Sequence, residues 1–206
     1  NLIIREDWLD NLGLEISTTL DELHEVATAF VNDDPDGNGK NDTYAISGLG
    51  LDSFDYILGA FGVTLGETNW NAPDTHCNIY FKDVDGELVP MVTLREMKEA
   101  LTMLRDWYSE GLIDPEFASQ TDAIMTEKFE GSAFGIATYW WNWDAQREVA
   151  MIDSNPGLKL ARIAPPKGEN GQSGMRAVPA VVNGVSVMAD TENPEACMKF
   201  LDYLHT

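Results

Sequence analysis

Asp34-Pro35-Asp36-Gly37-Asn38-Gly39-Lys40-Asn41-Asp42-Thr43 is the stretch from which the chain is best read. Side-chain oxygens recur at alternate positions, at Asp34, Asp36 and Asn38, and again at Asp42, with Gly39 where the backbone must turn sharply. This is the opening of an EF-hand-type calcium loop, whose positions 1, 3, 5 and 9 offer side-chain oxygens and whose position 7 offers a carbonyl. Lys40 falls at position 7, where its backbone oxygen suffices and its ammonium can point to water. The bidentate Glu that usually closes such a loop is absent, since position 12 is Ala45. Asp33 and Thr43 are the nearby side chains that can add an oxygen. An Asx-rich surface turn is the competing reading, but five correctly placed residues in one short window favour calcium, in a structural role.

Working outward, the loop sits between a helix and a strand. Thr19 is expected to cap the helix before it, with Glu22 completing a capping box and Leu23, Val26, Ala27 and Phe30 as the buried stripe. Tyr44 to Gly48 reads as the strand after it. Upstream, Leu2-Ile3-Ile4 reads as a strand and Arg5 to Leu12 as a helix stopped by Gly13. Downstream, Asp52 to Phe61 reads as a helix, and Asp85-Gly86 as the turn of a hairpin. Thr93 to Ser109 reads as a helix with Met97, Ala100, Leu101, Leu104 and Tyr108 inward. Thr121 to Phe129 is helical, and Phe134 to Ala137 and Leu158 to Ala164 are strands. Val178 to Val182 and Val185 to Met188 are further strands. A last helix is capped at Asn193-Pro194-Glu195. Strands and helices intermixed in this way give an α/β fold.

Thirteen Lys and Arg against 35 Asp and Glu leave a net charge of −22, a field that repels phosphate backbones and excludes a nucleic-acid partner. No apolar run approaches the roughly 18 residues that span a bilayer. The two cysteines, Cys77 and Cys197, have no metal-ligand spacing and read as reduced, packed thiols. A weak calcium loop is filled where calcium is millimolar, which places the protein outside the cell. The chain starts at Asn1 without a Met and ends inside a helical pattern, so it is expected to be part of a longer protein.

The second constellation is aromatic. Tyr139, Trp140, Trp141 and Trp143 hold three of the six tryptophans and are interleaved with Asn142 and Asp144. Aromatic faces stack on the CH faces of sugar rings while Asn and Asp take the hydroxyls. Packing in a core is the equal alternative. In an extended segment Trp141 and Trp143 share one face, so one side can be core while the other lines a cleft. Trp70 lies in a loop-like stretch, residues 62–78. Enzyme signatures are missing: there is no G-x-S-x-G, P-loop or H-E-x-x-H, and His24, His76 and His205 are scattered. Acid pairs such as Asp52 and Asp55 are better read as solvated helix-end residues.

Several segments together resemble a known family. They are Ile4-Arg5-Glu6-Asp7-Trp8-Leu9-Asp10-Asn11-Leu12-Gly13-Leu14, Thr18-Thr19-Leu20-Asp21-Glu22-Leu23, the acidic loop, Asp85-Gly86-Glu87, the run from Leu104 through Gly111-Leu112-Ile113-Asp114-Pro115 to Glu116, and Asn193 to Leu204. In order and spacing they resemble the extracellular solute-binding proteins of carbohydrate ABC importers. The resemblance implies a periplasmic-binding-protein type II clamshell that closes on ligand. It implies that residues 1–154 are mostly the C-terminal lobe, that 155–206 return to the N-terminal lobe, and that the strands opening the N-terminal lobe lie outside this chain. It implies a non-enzymatic, monomeric receptor that captures an oligosaccharide and delivers it to ABC permease subunits. In the longer protein a lipid anchor would lie upstream of Asn1. The acidic loop is similar to the calcium loop of alginate-oligosaccharide-binding members at Asp34, Asp36, Asn38, Lys40 and Asp42, with Thr43 where those members have a carboxylate. Gly135 to Trp143 is similar to a strand-then-Trp segment of maltose-binding members. That makes Trp141 the first expected ligand platform and Trp143 the second, ahead of Tyr139 and Trp70. A secreted polysaccharide-acting enzyme and a peptide receptor remain the alternatives.

Overall fold

The computed structural model describes residues 2–65, 80–138, 145–175, 187–188 and 190–204. The chain divides into two compact units, Asn1–Arg176 and Ala177–Thr206.

The first unit is built on a four-stranded mixed sheet in the order β2-β5-β1-β6. The strands are β1 (Leu2–Arg5), β2 (Tyr44–Ile46), β5 (Phe134–Thr138) and β6 (Leu160–Ile163). β2 runs parallel to β5, while β5 and β6 flank β1 antiparallel. β1 is buried at every position, which explains its unbroken apolar run Leu2-Ile3-Ile4. Leu2 and Ile4 join the larger core with Trp8, Leu23, Phe30 and Ile57, and Ile3 joins a smaller one with Met125, Phe129, Phe134 and Met151. A separate hairpin, β3 (Phe81–Val84) and β4 (Glu87–Pro90), turns at Asp85-Gly86 as expected.

α1 (Glu6–Leu12) ends at Gly13, whose φ of 67° is the left-handed conformation that glycine adopts without strain. α2 (Leu20–Asn32) carries the expected capping box. Thr19 Oγ1 accepts from the Glu22 amide at 3.2 Å, and Glu22 Oε2 accepts from the amides of Thr18 and Thr19 at 2.7 and 3.1 Å. The hydrogen bonds from Thr18 hold the Glu22 carboxyl below its ordinary value. Thr19→Ala is expected to destabilise the first unit by about 1 kcal/mol. In a chain of this size that lowers the melting temperature by roughly 2–4 °C in a calorimetric scan.

The helix expected over Asp52 to Phe61 is a 3-10 turn, Leu51–Phe54, followed by a short α3 (Asp55–Ala60). In α4 (Arg95–Ser109) the inward face is Met97, Ala100, Leu104 and Trp107. Leu101 and Tyr108, read from the sequence as inward, are exposed. The face follows the i, i+3, i+7, i+10 positions from Met97, and Leu101 and Tyr108 each stand one residue beyond it. The helix expected over Thr121 to Phe129 is α5 (Asp122–Glu130), with Thr121 as its cap. α6 (Ala145–Ser154) was not foreseen from the sequence. The first unit includes β6 and runs on to Arg176.

In the second unit α7 (Pro194–Leu204) starts as expected, with Pro194 in its first position and Asn193 Oδ1 accepting from the Ala196 amide at 3.3 Å. The expected strands over residues 178–182 and 185–188 fall almost wholly outside the described residues. Cys197 is half-buried beside Thr191, and Cys77 lies outside them. Among the described residues no helix is long and apolar enough to cross a membrane.

Candidate functional site

The acidic loop leaves α2 at Asp33 and is shaped by three residues in the left-handed region: Asp34 at φ 47°, Gly37 at 70° and Gly39 at 82°. Asp34 tolerates this because its short carboxylate bonds the loop's own amides. Its Oδ1 accepts from the Asn38 amide at 3.0 Å and its Oδ2 from the Gly39 amide at 2.9 Å. Asn38 is the hub. Its Nδ2 donates to Asp36 Oδ2 and to Asp42 Oδ1, each at 3.0 Å, and its Oδ1 accepts from the Lys40 amide at 2.8 Å. The loop's foundations are firm. Pro35 is buried, with its carbonyl accepting from Asn11 Nδ2 of α1 at 3.0 Å, and Asn41 Nδ2 reaches back to the Asn32 carbonyl at 2.8 Å.

Three carboxylates, a carboxamide and a backbone carbonyl form a donor set of hard oxygens suited to calcium. The Asn38 amide, as a hydrogen-bond donor, lies between two of the carboxylates. Burial pushes the Asp36 carboxyl above its ordinary value, and neighbouring Asp34 and Asp42 push in the same direction, more than offsetting the hydrogen bond from Asn38. Among the described residues, no three carboxylate, imidazole or thiol groups already stand together in ligand geometry. Thr43 is buried, and its hydroxyl donates to the Phe30 carbonyl at 2.6 Å beneath the loop. Ala45 is buried in β2, which is why no Glu closes the loop. The chain leaves this loop in a strand, so its twelfth position belongs to the core.

A second candidate surface is the sheet edge where the parallel strands β2 and β5 both end. Open α/β sheets bind ligands outside the carboxyl ends of their strands. Here β2 gives way to Ser47-Gly48-Leu49-Gly50 and the 3-10 turn, and β5 ends at Thr138, whose hydroxyl donates to the Ser53 carbonyl at 2.9 Å. Gly48 is required: a Cβ there would sit 2.3 Å from the Ser53 Cβ. Leu51 is exposed on this loop. Tyr139, Trp141 and Trp143, which follow Thr138 in the chain, lie outside the described residues, as does Trp70.

Beneath the loop is a polar cluster that sequence reading missed. Asp114 is 1% exposed, and its Oδ2 accepts from Lys128 Nζ at 2.7 Å and from Ser47 Oγ at 2.8 Å. Lys128 also reaches Glu116 Oε2 at 2.7 Å. Burial draws the Lys128 ammonium down, but its two carboxylate partners outweigh that and hold it above its ordinary value. An Asp between an apolar pair and a Pro gave no sign that it would be buried.

The family of bacterial extracellular solute-binding proteins matches residues 2–206, and the chain belongs to it. Among the relatives is lipoprotein LipO of Bacillus subtilis, 33% identical over 220 residues that cover 99% of this chain and 40% of that protein. Another is the fructooligosaccharide ABC transporter substrate-binding protein FusA of Streptococcus pneumoniae, 28% identical over 97% of this chain and 35% of its own length. A structure of a FusA EF-hand mutant in complex with fructo-nystose is similar at TM-score 0.63 and 25% identity, over 98% of this chain and 39% of that one. The alginate-binding protein AlgQ2, solved without calcium ion, shares the fold at TM-score 0.72 and 24% identity, over 100% of this chain and 40% of that one. The chain therefore spans two fifths or less of these proteins. Its fold is α/β, of the type II periplasmic-binding-protein kind.

Proposed function

We propose that this chain is part of the substrate-binding component of an ABC importer, which captures an oligosaccharide outside the cell and passes it to a membrane permease. The observation that carries this reading is the family match along residues 2–206, with FusA, named for fructooligosaccharides, similar over nearly all of the chain. Residues 1–154 are assigned mainly to the C-terminal lobe, and residues 155–206 to the return towards the N-terminal lobe. The whole protein is a monomer without catalytic turnover, anchored by a lipid to the outer face of the cell membrane.

The ligand lies outside the carboxyl ends of β2 and β5. Trp141 is the first stacking platform and Trp143 the second, with Tyr139 and Trp70 contributing less. Calcium is held by the carboxylates of Asp34, Asp36 and Asp42, the Asn38 side-chain oxygen and the Lys40 carbonyl. Its chemistry is charge neutralisation at the exit of α2. To hold it, Asn38 would present its side-chain oxygen in place of the N–H groups that bridge Asp36 and Asp42.

The test is a tryptophan-fluorescence titration of the full-length receptor with kestose, oligogalacturonides and short peptides. Saturable change with one class of oligosaccharide is expected. Trp141→Ala should weaken that binding by about 30-fold or more, the usual consequence of removing a buried tryptophan anchor worth about 2 kcal/mol. Response to peptides alone, or cleavage of the sugar, overturns the reading.

A further inference from the structure

We infer that Asp114, held by Lys128, is a positioning residue that keeps the loop from Ser47 to Ser53 preformed for ligand. The inference rests on the proposal that the cleft lies at this sheet edge. It starts from an unusual placement: among the described residues Asp114, 1% exposed, and Asp55, 4% exposed, are the buried carboxylates. An ion pair with one partner buried and the other, Lys128, 21% exposed adds little to stability compared with apolar packing, so its use is better sought in the geometry it imposes.

That geometry runs one way. Gln120 Nε2 donates to Ser47 Oγ and to the Gly48 carbonyl, both at 2.7 Å. The Ser47 hydroxyl therefore turns its own proton to Asp114 Oδ2, where the Lys128 ammonium also arrives. Asp114 Oδ1 accepts from the Glu116 amide at 3.0 Å, and the Asp114 amide donates to the Ile46 carbonyl at 2.8 Å. Gln120 turns its N–H groups to the loop although its own Oε1 is left buried without a partner. An unsatisfied buried acceptor is costly, so the side chain is oriented by the loop and by Ser47, not by its own satisfaction.

The cluster grips the loop at successive points. Residues 114–120 form the turn that supplies most of the grip: Gln120 holds Gly48, and the Phe117 carbonyl accepts from the Gly50 amide at 2.9 Å. The Phe117 amide in turn donates to the Asp114 carbonyl at 3.1 Å. Within the loop, the Leu49 amide donates to Ser53 Oγ at 2.8 Å, and Thr138 of β5 closes the far end on the Ser53 carbonyl. Lys128 comes from α5, so the helix, the turn and two strands converge on seven residues of backbone. A loop held in this way spares a ligand the entropy of ordering it.

Hydrogen exchange on the 206-residue chain tests this without ligand, in Lys128→Met, Lys128→Arg and the milder Ser47→Ala. Lys128→Met is expected to speed exchange of the Leu49 and Gly50 amides at least tenfold while β1 changes less than twofold, with Lys128→Arg close to the parent. Ser47→Ala should give the same local pattern at smaller size, and it keeps the test open if Lys128→Met fails to fold. A uniform rise across β1 and the loop, or no change in the loop, overturns the inference. A kestose titration of the full-length receptor then reads the consequence: about tenfold weaker binding in Lys128→Met with the same final fluorescence. Unchanged affinity in a loosened loop overturns the role in binding. A full-length receptor that takes up no oligosaccharide refutes the cleft proposal instead, and the exchange pattern still decides whether Lys128 holds the loop.

Discussion

Calcium at 10 mM is expected to raise the melting temperature of the EDTA-treated protein by about 3–10 °C at pH 7. The size follows from two steps. Weak extracellular calcium modules bind with dissociation constants near 10⁻⁴–10⁻³ M, so roughly 10 mM ion stabilises the folded form by about 1.4–2.7 kcal/mol. Each kcal/mol moves a chain of this length by roughly 2–4 °C. The pH dependence has a definite sign. Burial and the adjoining carboxylates raise the Asp36 carboxyl in the folded state. For such a group the folded form gains stability below the unfolded value and loses it as pH rises through the folded one. Without the ion, repulsion in the loop is therefore strongest at neutral pH, where bound calcium would relieve it. Near pH 4 protons compete for the same oxygens, and the increment should shrink to a small fraction. Asp36→Asn should remove most of the increment at pH 7 while making the ion-free protein no less stable. An equal increment at both pH values, or none at pH 7 in the parent chain, would falsify a folded-state site built on these carboxylates.

The parts of this fold that were legible in the sequence are those set by local chemistry. Gly13 stops α1, Thr19 and Glu22 cap α2, Asp85-Gly86 turns the hairpin and Pro194 opens α7, because each is fixed by backbone geometry within a few residues. What escaped is set by partners distant in sequence. Choosing Leu101 and Tyr108 over Trp107 for the inner face of α4 could not be corrected without knowing which elements pack there. The burial of Asp114 depends on Lys128 and on Ser47, 67 residues away. For the acidic loop, residue spacing indicated the donors, but the missing Glu became intelligible only once Ala45 was placed in a strand facing the core. The aromatic run from Tyr139 to Trp143 lies outside the described residues, so its assignment to the ligand stands on resemblance and on the chemistry of its side chains.

Gly135 is where a single methyl group should do the most damage, and general propensity predicts the opposite sign. Glycine inside a strand is entropically costly, so replacing it with alanine ordinarily favours the folded state by several tenths of a kcal/mol. Gly135, however, lies against two rings at once: a Cβ there would stand 2.6 Å from Phe30 Cε2 and 2.7 Å from Trp8 Cε3. Neither ring has room to yield. Trp8 and Phe30 are both 0% exposed and meet edge to face with centroids 5.1 Å apart. Over Trp8 lies the Arg5 guanidinium, 4.8 Å from the ring centroid, itself clasped by Asp7 at 2.6 and 2.8 Å and by Ser132 Oγ at 2.8 Å. Retreat of the indole thus disturbs a buried ion pair, and retreat of the phenyl disturbs the end of α2 beneath the acidic loop. Overpacking of this kind costs about 1–3 kcal/mol, occasionally more, and the doubly confined site places Gly135→Ala at the upper end. Its melting temperature should fall by roughly 6–12 °C at about 3 kcal/mol. Phe30→Leu, which trims the ring that the methyl group meets, should be destabilising alone yet recover part of the loss in the double variant. The coupling expected between residues in contact is about 1 kcal/mol or more. A Gly135→Ala protein that melts within 2 °C of its parent, or a strictly additive double variant, would show that the rings move aside and that β5 does not meet α1 and α2 this tightly.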